Sequence, residues 1–361
     1  MDISRLTPVY EAGGPFATVT LDVSHDSETA AREHELRVRD AGSDLDRQGA
    51  PEAVIRAVTD PLAENPAEPA PQARTVVGNR DGVRFDELVH RQVDQAAVSW
   101  SALPDLAGWV RLAQGNIRFV LALVDHVGGD VAVYRSEVPE PEFATTAGGE
   151  TYHVHKVPVG GWSALRYQHE TENVWRRNAD AVGDEVESRV REGVKLVLVA
   201  GDARSVSHLL NRLEKVQATV VRLDSGGRAD DGGGEAMRQA IREALQEYAV
   251  ARQLELVHRL KDRLGQGFAV ATGVRDVADA FVQGQVETLL LDPDGAADHE
   301  LLPKDHPGLV LGDVPEDEAV RADQALLAAA ALTSAEVTAL PLVAIAGTPA
   351  AALLRWDNHE S

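Results

Sequence analysis

The chain has 361 residues, 44% of them hydrophobic and 26% charged, enough for two or three domains at roughly 150 residues each. It contains no cysteine, which excludes disulfides, thiolate metal sites and cysteine nucleophiles. A formal net charge of −23 excludes a uniformly basic nucleic-acid surface and confines any phosphate contact to local basic stretches.

Met1 to Arg5 has neither the basic nor the apolar region of a signal peptide. The longest apolar run, Ala325 to Leu332, falls far short of the ~20 residues that span a bilayer. A soluble, cytoplasmic protein without a membrane partner is expected, and a monomer.

A first α/β domain is expected over residues 1–113. Phe16 to Val23 alternates like a half-buried strand, and Thr29 to Arg39 is helical in character. Pro61, Pro66, Pro69 and Pro71 mark a loop. Arg74 to Phe85 reads as two strands around an Asn-Arg-Asp-Gly turn.

A middle domain is expected over residues 114–230. Arg118 to Asp125 and Val131 to Tyr134 form a hairpin around His126-Val127-Gly128-Gly129-Asp130, and a third strand runs from Tyr152 to Val157. Trp175, Ala179, Val182, Val186 and Val190 recur at spacings of three and four, so they share one helix face. Val194 to Ala200 is a buried strand that turns at Gly201-Asp202 into a helix bearing Leu209, Leu210 and Leu213. Strands alternating with helices define an α/β layer.

A third domain, 231–361, follows the glycine-rich Ser225–Gly234 loop. Helices over Glu235–Tyr248, Gln253–Leu264 and Val274–Gln283 precede a strand over Glu287–Asp292, and the chain closes on an apolar run from Leu342 and a terminal strand. From Asp292 to Val320 there are nine acidic residues and one basic residue, Lys304. This is a solvated face or an acidic surface for a basic partner.

Motifs for other chemistries fail on inspection. His153 and His155 share a strand face but lack a third metal ligand. His169-Glu170-Thr171-Glu172-Asn173 begins like a zinc-protease helix and lacks its second histidine. Gly226 to Gly234 carries Asp230 and Asp231, which repel phosphate, and no Gly-x-Ser-x-Gly elbow occurs. No metal and no cofactor is expected.

The informative stretch is Pro158-Val159-Gly160-Gly161-Trp162-Ser163-Ala164-Leu165-Arg166-Tyr167. Glycines tolerate positive φ and let backbone approach another molecule closely. Trp162 offers a stacking surface worth roughly 1–3 kcal/mol per base, and Arg166 can contact phosphate. A plain strand-to-helix turn is the other reading of the residues alone. The run resembles the Gly-Gly-Gln-Ser-Ala-Leu-Arg-Phe tip loop of the archaeo-eukaryotic class-I release factor and Pelota family, with Trp162 where release factors carry glutamine.

Two later runs carry the same resemblance. Ala280 to Leu291, containing Gly284-Gln285-Val286-Glu287-Thr288-Leu289-Leu290, is similar to the family's "Gly-Ala-Val-Glu-Thr-Leu-Leu". Gly347 to Trp356 is similar to its terminal "Leu-Arg-aromatic" strand. The Asn-Ile-Lys-Ser stop-codon reader is absent; Asn116-Ile117-Arg118 lies elsewhere and lacks the rest.

The resemblance implies a three-domain α/β, release-factor/Pelota-like architecture, with an RNase-H-like middle domain and an L7Ae/L30e-like C-terminal domain. It implies a ribosome partner (A site, large-subunit rRNA) and an elongation factor such as EF-Tu. Gly160, Gly161, Trp162, Ser163 and Arg166 would form the rRNA/tRNA-binding loop, supported by His155, Lys156, Arg176 and Arg177. The family's glutamine places the hydrolytic water, which an indole cannot do, so no catalytic residue is assigned. The expectation is a Balon-like hibernation factor of the bacterial branch. The alternatives are a peptidyl-tRNA hydrolase or rescue factor, and a non-ribosomal scaffold.

Overall fold

A computed structural model describes residues 1–24, 30–64, 72–93, 95–125, 128–136, 138, 140–148, 172–224 and 233–356. The chain divides into two compact units, Met1–Gln114 with Gln253–Ser361, and Gly115–Arg252.

The N-terminal segment runs α1 (Thr7–Glu11), β1 (Phe16–Asp22), α2 (Ala30–Arg47), α3 (Glu52–Ala63), β2 (Ala73–Asn79), β3 (Gly82–Val89), β4 (Ala97–Ser101) and α4 (Ala107–Ala113). Its sheet has the order β3-β2-β1-β4, antiparallel throughout. The strand expected at Phe16 is present but is buried on both faces, because α2 and α3 cover one side and a second core covers the other. Ala17, Val19 and Leu21 meet the helices, while Phe16 points into the second core. Pro61 lies inside α3 rather than in a loop: it falls in the helix's last turn, whose end is set by Glu64 in extended backbone.

The middle unit contains β5 (Arg118–Val124), β6 (Gly129–Arg135), β7 (Phe143–Ala147), α5 (Glu172–Arg191), β8 (Leu196–Gly201), α6 (Ala203–Leu213) and β9 (Thr219–Arg222). The sheet order is β7-β6-β5-β8-β9, with β6 antiparallel to its neighbours and β5, β8 and β9 parallel. This 3-2-1-4-5 order is the RNase-H-like arrangement. Period-two alternation sends Val120, Ala122 and Val124 to the face covered by α5 and α6, and Phe119 and Leu121 to the other. Val182, Val186 and Val190 are buried against the first face, as their spacing requires. Two short strands, β7 and β9, were not anticipated, and the strand expected over Tyr152–Val157 lies outside the described residues.

Next comes α7 (Gly233–Gln266), a single helix where two were expected; no Pro or Gly interrupts residues 249–252. The sequence division after residue 230 falls before this helix. Ala244 and Leu245 in its first half pack on the middle unit's sheet.

The C-terminal segment continues with β10 (Val270–Thr272), α8 (Val274–Val282), β11 (Val286–Leu291), α9 (Pro293–Ala297), β12 (Glu300–Leu301), β13 (Val320–Arg321), α10 (Ala322–Leu332), β14 (Glu336–Ala339) and β15 (Ala350–Leu354). Its mixed sheet, β10-β15-β11-β14, has α8 and α10 on one face and Leu260 of α7 on the other. It is an α/β/α sandwich, the layering expected of an L7Ae/L30e-like domain. Leu342–Ala344, read as part of an apolar closing run, is a 3-10 turn with Val343 exposed.

The N- and C-terminal segments share a core. Helix α10 is buried from Ala322 to Ala331 on all sides, which its alanine-rich sequence permits by letting neighbours approach closely. Ile3, Leu6, Tyr10, Trp109 and Val110 of the first segment join the same cluster as Leu289, Leu326 and Val337 of the last. The Gln114 side chain pairs with both backbone groups of Ala339, at 3.1 and 3.0 Å. Thr7 Oγ1 donates to the Ala331 carbonyl at 2.8 Å.

One ionic group is buried in this shared core. Arg321 donates to Asp105 Oδ2 at 2.8 Å and grips both oxygens of Asp323, which is 1% exposed. Burial raises the Asp323 carboxyl above its ordinary range, partly offset by Arg321. The nearby Tyr10 hydroxyl has no hydrogen-bond partner among the described residues. Burial, and behind it the charges of Asp105 and Asp323, push the phenol far above its ordinary value.

Candidate functional site

The middle unit carries the stretch singled out by the sequence. Gly160, Gly161, Trp162, Ser163, Arg166, His155 and Lys156 lie outside the described residues. Arg176 and Arg177 fall in the second turn of α5, and their side chains lie outside the described residues. What the structure defines is the platform between whose elements that stretch is strung: β7 before it and α5 after it.

The platform is built on close backbone approach at the end of the sheet where β5 and β8 finish. At Gly201 (φ +132°) a Cβ would lie 1.9 Å from the Val124 carbonyl oxygen, so no side chain fits between these parallel strands. Gly128, Gly129 and Gly148 crowd the same end of the sheet. A Cβ at Gly128 would meet the Ala147 oxygen at 2.5 Å, and one at Gly129 the Leu123 oxygen at 2.7 Å. At Gly148 (φ +80°), the last described residue before the stretch, it would meet Asn178 Oδ1 of α5 at 3.0 Å. Asn178 is itself 8% exposed, so the roots of the stretch are packed together. The sequence showed the glycines as turn signals; it did not show that they meet.

Charged groups fix the surrounding elements. Asp202 caps α6, accepting from the backbone N–H groups of Arg204 and Ser205 at 3.1 and 3.2 Å. Arg212 of α6 reaches Glu187 and, at 2.8 Å, Asp184 of α5. Hydrogen bonds to Glu187 and then Asp184 raise its already high pKa, so it stays charged. Arg189 lies over the Phe143 ring at 4.2 Å and pairs with Glu185, tying α5 to β7. Burial, reinforced by Asp130, raises the Tyr134 phenol.

Charge is unevenly divided between the two units. Residues 115–252 hold 21 acidic against 17 basic side chains, and the other unit 37 against 18. The platform is therefore close to neutral, and most of the net charge of −23 lies in the other unit. Among the described residues no cluster of three or more His, Asp or Glu could hold a metal ion, and no helix is long and apolar enough to cross a membrane.

An RNase-H-like sheet with a glycine-rich root and an α/β/α C-terminal layer define a multi-domain α/β protein. Residues 118–266 match the family model "Bacterial archaeo-eukaryotic release factor family 2". An uncharacterized protein of Mycobacterium tuberculosis, Rv2629, is 27% identical over 369 residues, covering 99% of this chain and 94% of that protein. The pelota homolog of Natronomonas pharaonis is 26% identical over 168 residues, covering 44% of this chain and 47% of its own. Among solved structures, ribosome-bound archaeal Pelota (16% identity, 98% and 93% coverage) aligns with a TM-score of 0.42. Saccharomyces cerevisiae Dom34 (10%, 80% and 80%) aligns with a TM-score of 0.43. Over its middle unit the chain is similar to the bacterial branch of the release-factor/Pelota-like proteins.

Proposed function

We propose that this protein binds the ribosome and occupies the A site of idle particles, presenting Gly160-Gly161-Trp162 at the peptidyl-transferase centre without hydrolysing peptidyl-tRNA. The observation that carries this reading is the frame Gly160-Gly161-Trp162-Ser163-Ala164-Leu165-Arg166, intact except where a release factor needs glutamine. The match of residues 118–266 to the release-factor family model supports a ribosomal target. The middle unit, with 21 acidic against 17 basic side chains, carries little of the net charge of −23, so its own charge opposes approach to rRNA far less than the whole-chain value suggests.

The chemistry follows from side-chain type. Glutamine has an amide that can hold a water by accepting and donating; indole has one N–H donor and no acceptor. Trp162 therefore contributes stacking and occupancy, and the bound protein excludes tRNA. An elongation factor such as EF-Tu would deliver it through the other unit.

The test is competition on vacant bacterial ribosomes. Added protein is expected to lower A-site aminoacyl-tRNA binding in proportion to its own occupancy, and to leave peptidyl-tRNA in the P site uncleaved. Release of the labelled peptide would make the protein a hydrolase or rescue factor, and unchanged tRNA binding would remove the A-site reading.

A further inference from the structure

Helix α6 has one face in the middle unit's core and the other in solvent. Val206, Leu209 and Leu213, none more than 2% exposed, pack in the core against β5, β8 and α5, which fixes the rotation of the helix. The helical period then sends Arg204, Ser207 and Asn211 outward, and all three are exposed, as is Lys215 just past the helix end. His208, half-buried, borders the same stripe.

Two features set this face apart. The first is charge. In an acidic chain, α6 carries Arg204, His208 and Arg212 and no Asp or Glu, whereas every other helix of nine residues or more carries at least one. Carboxylates beside it are engaged. Asp202 accepts from the backbone N–H groups of Arg204 and Ser205. On α5, Asp184 and Asp180 lie 2.8 and 4.0 Å from Arg212, which also reaches Glu187. Glu214, at the C-terminal end of the helix, is the exception, and Lys215 follows it directly. The second feature is that no large apolar side chain is exposed on the stripe. A protein partner needs a well-packed anchor, which is missing here, whereas Arg, Lys, Ser and Asn side chains are the ones that bind phosphate and sugar oxygens.

We propose that the outward face of α6 is an RNA-backbone contact of the middle unit. Arg204 and Lys215 meet phosphates, and the Asn211 amide donates to a phosphate or ribose oxygen. Ser207 Oγ already donates to the Ala203 carbonyl at 2.8 Å, so it accepts, and the 2′-hydroxyl of a ribose is the donor that fits it. The proposal rests on the ribosomal reading and adds to it a contact outside the Gly160–Arg166 stretch.

The experiment is co-sedimentation of the full chain with empty bacterial ribosomes over a range of salt concentrations. The variant is Arg204→Gln with Lys215→Gln. The control is Arg238→Gln with Arg242→Gln, which removes the same charge from α7 of the same unit, where both arginines pair with Glu235. All four residues are exposed, so unchanged urea midpoints are expected. The α6 variant should bind about tenfold more weakly, with a slope of log K against log salt smaller by about two, and the control should stay near wild type. Asn211→Glu, which puts a carboxylate in the middle of the stripe, should weaken binding at least as much. An α6 variant with wild-type affinity and slope would overturn the proposal and leave the ribosomal reading standing. Equal losses in variant and control would show diffuse charge and overturn it as well. Wild-type protein that does not pellet would overturn both readings.

Discussion

Gly201→Ala is expected to destabilise the middle unit by about 4 kcal/mol or more, combining backbone strain with overpacking between two strands. The new methyl would sit 1.9 Å from the Val124 oxygen in a residue at φ +132°, and the register Val124↔Gly201 leaves no slack. Gly193→Ala is the control. Gly193 also has positive φ, +96°, but open space where its Cβ would go, so only the conformational cost of about 1 kcal/mol applies. Urea unfolding of both variants separates the two causes. Similar losses would mean that φ alone matters and that the strand junction has room.

The second large effect lies in the core shared by the terminal segments. Arg321→Met strips Asp323, 1% exposed, of its partner; breaking a fully buried pair costs about 3–5 kcal/mol, and because the Arg321 side chain is 39% exposed the loss is expected at the lower end, about 3 kcal/mol. The pH dependence follows from the raised Asp323 carboxyl. As pH falls, the folded chain takes up this proton before the unfolded chain, whose value is near 3.8. The group's contribution is thus full below 3.8 and is lost as pH rises through the folded value. Without Arg321 the folded value rises further, so the deficit of Arg321→Met should shrink between neutral and mildly acidic pH. Unfolding free energies of variant and wild type at the two pH values check this; a deficit independent of pH would mean that Asp323 is not the group left stranded.

What could be read from the sequence tracks how local the signal is. The β5–β6 hairpin, the valine face of α5 and the turn from β8 into α6 were legible because each is a short-range pattern. Helix α10 was visible only as an apolar run. Buried on all sides, it has no polar face to set a period. The union of the two terminal segments was not legible, because its contacts join residues such as Gln114 and Ala339, 225 positions apart. The break expected between Tyr248 and Gln253 is not there: α7 runs through residues 249–252, where no Gly or Pro stops it. For the functional stretch the balance is reversed. Its meaning came from the order of residues around Trp162, while the structure supplied the glycine packing around β7 and α5, the elements that flank it in the chain.

The most direct test of the central claim is co-sedimentation of the purified protein with empty bacterial ribosomes at physiological salt, wild type beside Trp162→Ala. The account predicts that wild type pellets with the ribosomes and that Trp162→Ala pellets less, by about the tenfold or more in affinity that loss of one stacked aromatic gives. Wild-type protein left in the supernatant, or a Trp162→Ala variant that pellets equally, would contradict it.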